Sequence, residues 1–161
     1  MAESGRLGYA LRMTEMTEDS RGPSLRMTLS ELAAFLDRAF PAAARSGLGD
    51  LVAIEPGKAW LRLDPNTDML RPGDLVSGPV LMGLIDVAAY AVVLAHIGPV
   101  PMAVTNNLNV NFLRGGRKKT VFAEASLLKL GRRLATIDVR LWQDSDDRPI
   151  AHATVGYALP S

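Results

Sequence analysis

The stretch from Ser77 to His96 reads SGPVLMGLIDVAAYAVVLAH, and it decides how the rest of the chain folds. Two helix-breaking pairs, Pro72-Gly73 and Gly98-Pro99, flank it, so it is predicted to form one long helix. Apolar residues occupy nearly every position, and a helix that is apolar on all sides must be enclosed by protein or by lipid. One carboxylate, Asp86, lies within it, and a buried charge is costly unless it has a partner. Asp86 is therefore the first candidate for a functional residue.

The composition indicates one globular domain without a metal or redox site. The chain has 161 residues, of which 48% are hydrophobic, and its net charge is +1, with no long block of one sign that would favour nucleic acid or an anionic membrane. It contains no cysteine, which excludes disulfides, thiolate metal ligands and cysteine nucleophiles. With two histidines and no HExxH spacing, we expect neither a metal nor another cofactor.

The alternative for residues 78–97 is a membrane-spanning helix, since their length would just cross a bilayer. Asp86 near its centre would cost about 2.5–3.5 kcal/mol on insertion scales, and a buried core helix is favoured. Residues 1–27 lack the layout of a signal peptide and show no sustained periodicity. We therefore expect residues 1–27 to be a flexible extension and the protein to be cytoplasmic.

The remaining pattern, from residue 28 onward, predicts one further helix and six strands. Thr28-Leu29-Ser30-Glu31 has capping-box spacing, and apolar residues then recur at helical intervals until Pro41. Two strands around Pro56-Gly57 form a predicted hairpin, and a polar loop over 64–73 leads to the long helix. Alternating patterns predict four more strands, over 102–113, 121–129, 135–141 and 150–159.

Several antiparallel strands with one apolar face need a cover, and the helix at 77–96 is the element apolar enough to provide it. The predicted fold is therefore α+β, with an antiparallel sheet wrapped around one long central helix and an extra N-terminal helix. Residues 28–161 form this single domain.

The element order and four motifs resemble the hotdog-fold acyl-CoA thioesterases of the phenylacetate-pathway (PaaI-like) type. The resemblance covers residues 45–159. The motifs are Ser77-Gly78-Pro79 at the helix start, Leu84-Ile85-Asp86 within the helix, Asn109 to Arg114 on the next strand and Lys129 to Arg133 at a later turn.

The resemblance implies roles for three residues. In that family a His-Gly-Gly motif opens the central helix and a catalytic acid follows nine residues after the His; Asp86 lies at that offset from Ser77. Gly78 matches the glycine whose N–H polarises the thioester carbonyl, a role that suits a helix N-terminus. Asp86 matches the carboxylate that activates water or attacks the carbonyl itself, and Thr105 matches a Ser or Thr that helps to hold the water.

Three positions depart from the family pattern and are candidate substrate-binding residues. Ser77 replaces the His, Pro79 replaces the second Gly without removing the Gly78 donor, and Arg71 stands where an Asn often assists the carbonyl. The missing His and Asn favour an alternative, a non-catalytic protein that binds or senses acyl-CoA. A hotdog dehydratase is disfavoured because no His near the helix start could move a proton at carbon.

Two basic clusters are candidates for binding the three phosphates of coenzyme A at the rim of a tunnel. The alternative is that they are ordinary basic turns, and nucleic-acid binding is disfavoured because no aromatic residues are interleaved with them. The residues are Arg114, Arg117, Lys118, Lys119, Arg132 and Arg133.

Three other polar features have weaker interpretations. Asn109 belongs to an unusual run of asparagines over 106–111, which either lines a polar pocket or forms a solvated strand face. His96 is predicted to interact with the dipole at the helix C-terminus, and His152 to be structural.

The spacing of Gly78 and Asp86 predicts an oligomer. They are eight residues apart on one helix, which separates their backbones by about 12 Å, too far to hold one carbonyl from both sides. If both act on one thioester, one must come from a second subunit. This predicts a homo-oligomer, a dimer or a tetramer of paired dimers, with two equivalent sites in each pair.

Overall fold

The computed structural model describes residues 23–161, so residues 1–22 of the predicted flexible extension lie outside the described part of the chain. The elements are α1 (Leu29–Ala39), α2 (Ala42–Arg45), β1 (Asp50–Glu55), β2 (Lys58–Leu63), a 3-10 helix (Thr67–Met69), β3 (Leu70–Arg71), β4 (Leu75–Val76), α3 (Gly78–Ile97), β5 (Val104–Phe112), β6 (Val121–Leu130), β7 (Leu134–Trp142) and β8 (Ala151–Ala158).

Six strands form one antiparallel sheet in the order β1-β2-β6-β7-β8-β5. Alternate residues of the central strands point toward α3 and are buried; on β7 these are Ala135, Ile137, Val139 and Leu141. The predicted antiparallel sheet around one long helix is therefore confirmed. β5 is an edge strand whose residues are mostly exposed.

The central helix α3 is enclosed by protein. It is long and apolar enough to cross a bilayer, but 72% of its most apolar 18-residue window is buried inside the protein. Ser77 precedes its first turn with the extended backbone angles of an N-cap, but its side chain makes no capping hydrogen bond. Pro79 occupies the second helical position and lacks one of the two N–H groups that an N-cap side chain can bind, which leaves the Val80 N–H as the other possible donor.

The N-terminal helix α1 begins with the predicted capping box. The Glu31 N–H donates to Thr28 Oγ1 at 3.3 Å, and the Thr28 N–H donates to Glu31 Oε2 at 2.8 Å. The segment just before α1 packs on the domain, because the Arg26 N–H donates to Ala95 O at 2.7 Å and Met27 is buried.

His96 lies in the last turn of α3, where the sequence predicts an interaction with the helix dipole. It is 3% exposed, and its Nε2 accepts a hydrogen bond from the Gly57 N–H at 2.9 Å. Its Nδ1 lies 2.6 Å from Val92 O and donates to that carbonyl, which makes the ring a neutral imidazole. His96 therefore fastens the β1–β2 turn to the last turn of α3.

The predicted polar loop over 64–73 contains the 3-10 helix and the first strand of the small β3–β4 hairpin. The hairpin turns at Gly73 and Asp74, which have φ values of +91° and +56°. Glycine and aspartate tolerate this left-handed region better than most residues do. The Ser77 N–H donates to Met69 O at 2.9 Å, so this segment sets where α3 begins.

Gly49→Ala is expected to lower the free energy of unfolding by about 2–4 kcal/mol, from left-handed strain plus overpacking. Gly49 has φ +79°, and an added Cβ would lie 2.7 Å from Leu84 Cδ1 and 2.9 Å from Arg62 O. Gly57→Ala is the matched control, because its φ is +82° but a Cβ there meets nothing within 4 Å. Chemical denaturation of both variants measures the difference, and equal losses would show that the contact with α3 is not tight.

Candidate active site

Asp86 is half-buried on α3, with its carboxylate bound by two hydroxyl groups. Thr105 Oγ1 on β5 donates to Asp86 Oδ1 at 2.6 Å. Tyr157 Oη on β8 donates to the same Oδ1 at 2.9 Å and lies 3.1 Å from the Asp86 carbonyl oxygen. The structure therefore brings Asp86 and Thr105 together and adds Tyr157, which no motif in the sequence predicts.

Sheet register explains how these hydroxyls reach one carboxylate. Thr105 pairs with Tyr157 across β5 and β8, and Tyr157 pairs with Ala135 across β8 and β7. Directly opposed residues of antiparallel strands project to the same face of the sheet, which here is the face toward α3. Burial raises the pKa of the Tyr157 hydroxyl, and the negative charge of Asp86 raises it further, so Tyr157 stays a hydrogen-bond donor.

The carboxylate borders a cavity of about 420 Å³ with a mainly apolar and aromatic lining. Tyr90 stacks on Tyr157 with ring centroids 5.8 Å apart, and Phe40 meets Tyr90 edge-on at 6.1 Å. The Tyr90 hydroxyl donates to Pro101 O at 3.2 Å, not to Asp86. The lining residues are Ala39, Phe40, Asp86, Tyr90, Pro101, Ala103, Val104, Thr105 and Tyr157.

Gly78 lines a different cavity of about 410 Å³. Two of the predicted substrate-binding residues, Arg71 and Arg114, line the same cavity. The Phe112 ring packs against the helix start, since a Cβ added at Gly78 would lie 3.4 Å from Phe112 Cζ. The first helical N–H, that of Gly78, belongs to the groups that a helix leaves without an intrahelical acceptor.

The two cavities lie at opposite ends of β5. Thr105 contacts Asp86 near the start of the strand, and Phe112 contacts Gly78 at its end. Thr105 and Phe112 are seven residues apart on an extended strand, which separates their backbones by about 23 Å. Within one subunit, the carboxylate and the candidate carbonyl-binding N–H therefore face separate spaces.

The predicted phosphate ligands are dispersed. Arg114 Nη1 donates to Pro149 O at 2.7 Å, and Arg114 also borders a cavity of about 270 Å³ together with Arg117 and Lys119. Lys119 pairs with Asp144, and Lys118 donates to Thr67 Oγ1 at 3.1 Å. These residues surround the Gly78 end of the sheet.

The second basic cluster follows β6 at the other end of the sheet. Arg132 lines a cavity of about 560 Å³ with His96 and the C-terminal residues. Arg133 is exposed, and its carbonyl accepts from the Leu159 N–H at 2.8 Å. In one subunit the two basic clusters do not converge on one cavity.

The remaining candidates lie elsewhere. Asn109 is exposed opposite Thr154, on the sheet face away from α3, which agrees with the solvated-face interpretation. On the same outer face, His152 Nε2 lies 2.6 Å from Asp138 Oδ1, so His152 has a cross-strand partner. Across residues 23–161, no three His, Asp or Glu side chains converge in a manner suited to a metal ion.

Comparison with known proteins identifies relatives. The pattern of the Thioesterase superfamily matches residues 73–150, which include Gly78, Asp86 and Thr105. A candidate thioesterase from Silicibacter sp. TM1040 is 36% identical, with a TM-score of 0.77, over 88% of this chain and 97% of that one. PaaI from the E. coli phenylacetic acid degradation operon is 20% identical, with a TM-score of 0.66, over 81% of this chain and 95% of that one, and shares the fold.

A candidate esterase from Thermoplasma acidophilum is 27% identical over 86 residues, which are 53% of this chain. The match spans 64% of the length of that relative. Together with the sheet wrapped around α3 and the 36% identity along nearly the whole Silicibacter protein, these matches establish the family. The chain belongs to the thioesterase superfamily and has the hotdog fold seen in PaaI.

Proposed function

We propose that this protein hydrolyses an acyl-CoA or a related thioester to a free acid and a thiol. The observation that carries the proposal is the carboxylate of Asp86, fixed by Thr105 and Tyr157 at the border of an apolar cavity that suits an acyl group. In the reaction the C–S bond breaks, the oxygen of water bonds to the acyl carbon, and the protons of water end on the products. Asp86 either takes a proton from that water or attacks the carbonyl first.

Two further groups support the same reaction. The free N–H of Gly78 at the start of α3 suits the negative charge that develops on the carbonyl oxygen, helped by the helix dipole. The Thr105 hydroxyl donates to Asp86, and its lone pairs remain able to accept a hydrogen bond from water. Thr105 therefore serves as the water-positioning group.

A complete site requires two subunits in this proposal. β5 is an unpaired edge in the described chain, and apolar residues at both of its ends, such as Val104 and Phe112, are about half exposed. Antiparallel pairing of two β5 edges around their middle would bring the Asp86 end of one subunit next to the Gly78 end of the other. We therefore infer a homodimer with two composite sites, either alone or as part of a tetramer.

The same pairing gives the dispersed cations a common role. Arg71 and Arg114 lie beside Gly78, whereas Arg132 and Arg133 follow β6 at the end of the sheet where Asp86 lies. Two-fold symmetry would place the second pair of one subunit near the first pair of its partner. The four cations then suit the phosphates of coenzyme A.

A panel of acyl-CoAs, assayed with a thiol-reporting dye, tests the function. We expect thiol release that is unchanged after EDTA treatment, because the proposed chemistry uses a carboxylate and a backbone N–H and needs no metal or redox cofactor. The proposed location of this activity is the cytoplasm. Acyl-CoA binding without thiol release would overturn the proposal in favour of the alternative, a non-catalytic acyl-CoA binding or sensing protein.

A further inference from the structure

We propose that Tyr157 is a positioning residue for Asp86, holding Oδ1 so that Oδ2 is presented to the substrate. This inference rests on the proposed function, in which Asp86 is the base or nucleophile. Tyr157 makes no contact with the reacting atoms in this arrangement and acts through Asp86.

The hydrogen bonds to Asp86 are unequally distributed between its two oxygens. Oδ1 accepts from Thr105 at 2.6 Å and from Tyr157 at 2.9 Å, whereas none of the residues from 23 to 161 donates to Oδ2. Tyr157 also lies 3.1 Å from the carbonyl oxygen of Asp86, so one hydroxyl contacts both the side chain and the backbone of the acid. Rotation of the carboxylate would break two hydrogen bonds, and Oδ2 is the oxygen left free for chemistry.

Tyr157 is itself held firmly enough to serve this role. It is 3% exposed, and its ring stacks on Tyr90 at an interplanar angle of 16°. Tyr90 is fixed in turn by its hydrogen bond to Pro101 O and by the edge of Phe40, the residue that follows α1. A chain of packed rings therefore runs from the N-terminal helix to the carboxylate. A group whose supporting contacts are fixed holds a reacting atom more precisely than a mobile group does.

The Tyr157 hydroxyl keeps its proton at neutral pH and so remains a hydrogen-bond donor. Burial and the neighbouring carboxylate both raise the pKa of its hydroxyl, so the O–H persists as a donor throughout the neutral range. The hydroxyl therefore holds Asp86 Oδ1 at the pH of the assay.

Tyr157→Phe tests the inference, since it keeps the stacked ring and removes only the hydroxyl. We expect kcat to fall about 10- to 100-fold, the effect of losing one hydrogen bond to a charged group, while KM changes by less than about twofold. Val155→Ala is the matched control, because Val155 is fully buried on the same face of the same strand but touches neither cavity. That variant should lose stability and keep its kcat.

The double variant Asp86→Asn/Tyr157→Phe separates positioning from general support of the fold. If Tyr157 acts through Asp86, removing its hydroxyl has little further effect on kcat once the carboxylate is gone. An equal fold-loss in both backgrounds, or an unchanged kcat in Tyr157→Phe, would overturn the inference. Failure of the proposed function would look different, because Asp86→Asn alone would then leave thioester hydrolysis intact.

Discussion

Asp86→Asn is expected to lower kcat/KM for thioester hydrolysis about 10²- to 10⁴-fold, the range associated with losing a positioned acid–base group. The amide is nearly isosteric with the carboxylate, and its oxygen can still accept from Thr105 and Tyr157, which donate at 2.6 and 2.9 Å. The fold should therefore persist while the group that takes a proton from water, or attacks the carbonyl, is gone. Steady-state thiol release by the purified variant measures the effect.

Asp138→Asn is the matched control, because Asp138 pairs with His152 at 2.6 Å on the sheet face away from α3. It removes a carboxylate of similar exposure without touching either cavity, so kcat/KM should stay within about twofold of the unaltered protein. If Asp86→Asn or Asp86→Ala hydrolyses acyl-CoA as fast as the unaltered protein, the carboxylate has a structural role and the proposed mechanism fails.

The elements that the sequence predicts correctly are those whose signals are local. The breakers at 72–73 and 98–99 bracket α3, the Thr28–Glu31 spacing gives the capping box, and Pro56-Gly57 marks the hairpin turn. Each signal depends on residues within about one helical turn or one strand. The need to cover an apolar helix then favours one architecture, the sheet wrapped around α3.

The site is only partly predictable because its contacts join distant segments. Tyr157 occupies one of the inward-facing positions of β8, so its orientation toward the core follows from the alternation of buried and half-buried residues along the strand. Its contact with Asp86, however, depends on β8 lying between β7 and β5, and this strand order has no local signature. Tyr90 is the nearer tyrosine in the sequence, one turn from Asp86 on α3, yet its hydroxyl donates to Pro101 O.

At both ends of α3, a specific neighbour changes the hydrogen bonding that residue type suggests. Ser77 has the residue type and backbone angles of an N-cap. Pro79, at the second helical position, lacks one of the two N–H groups that the Ser77 side chain could bind. His96 lies in the last turn as a dipole partner would. The Gly57 N–H of the β1–β2 turn donates to its Nε2, so this nitrogen of the ring carries no proton. In both cases a specific neighbour overrides a general preference.

Gly78→Pro is expected to lower kcat about 10²- to 10³-fold, the effect of removing one donor from an oxyanion-binding site. Proline suits the first helical position, and the preceding Ser77 has φ −68° and ψ 149°, which a following proline tolerates. The substitution therefore deletes the N–H, and the strain of placing a Cβ before Pro79 is shared by the Gly78→Ala control. Gly78→Ala is the control, because it adds a Cβ at about the same place, 3.4 Å from Phe112 Cζ, and keeps the N–H; it should lose less than about tenfold.

Combining the two altered subunits decides whether the site is composite. A dimer of one Asp86→Asn chain and one Gly78→Pro chain, purified through two different tags, has one site with both defects and one site with neither if each site spans the subunits. It should then recover about half of the unaltered activity, although each parent homodimer is nearly inactive. If Gly78 and Asp86 of the same chain served one site, every site would carry a defect and the mixed dimer would stay as inactive as its parents. The separate cavities of Gly78 and Asp86, at opposite ends of β5, favour recovery.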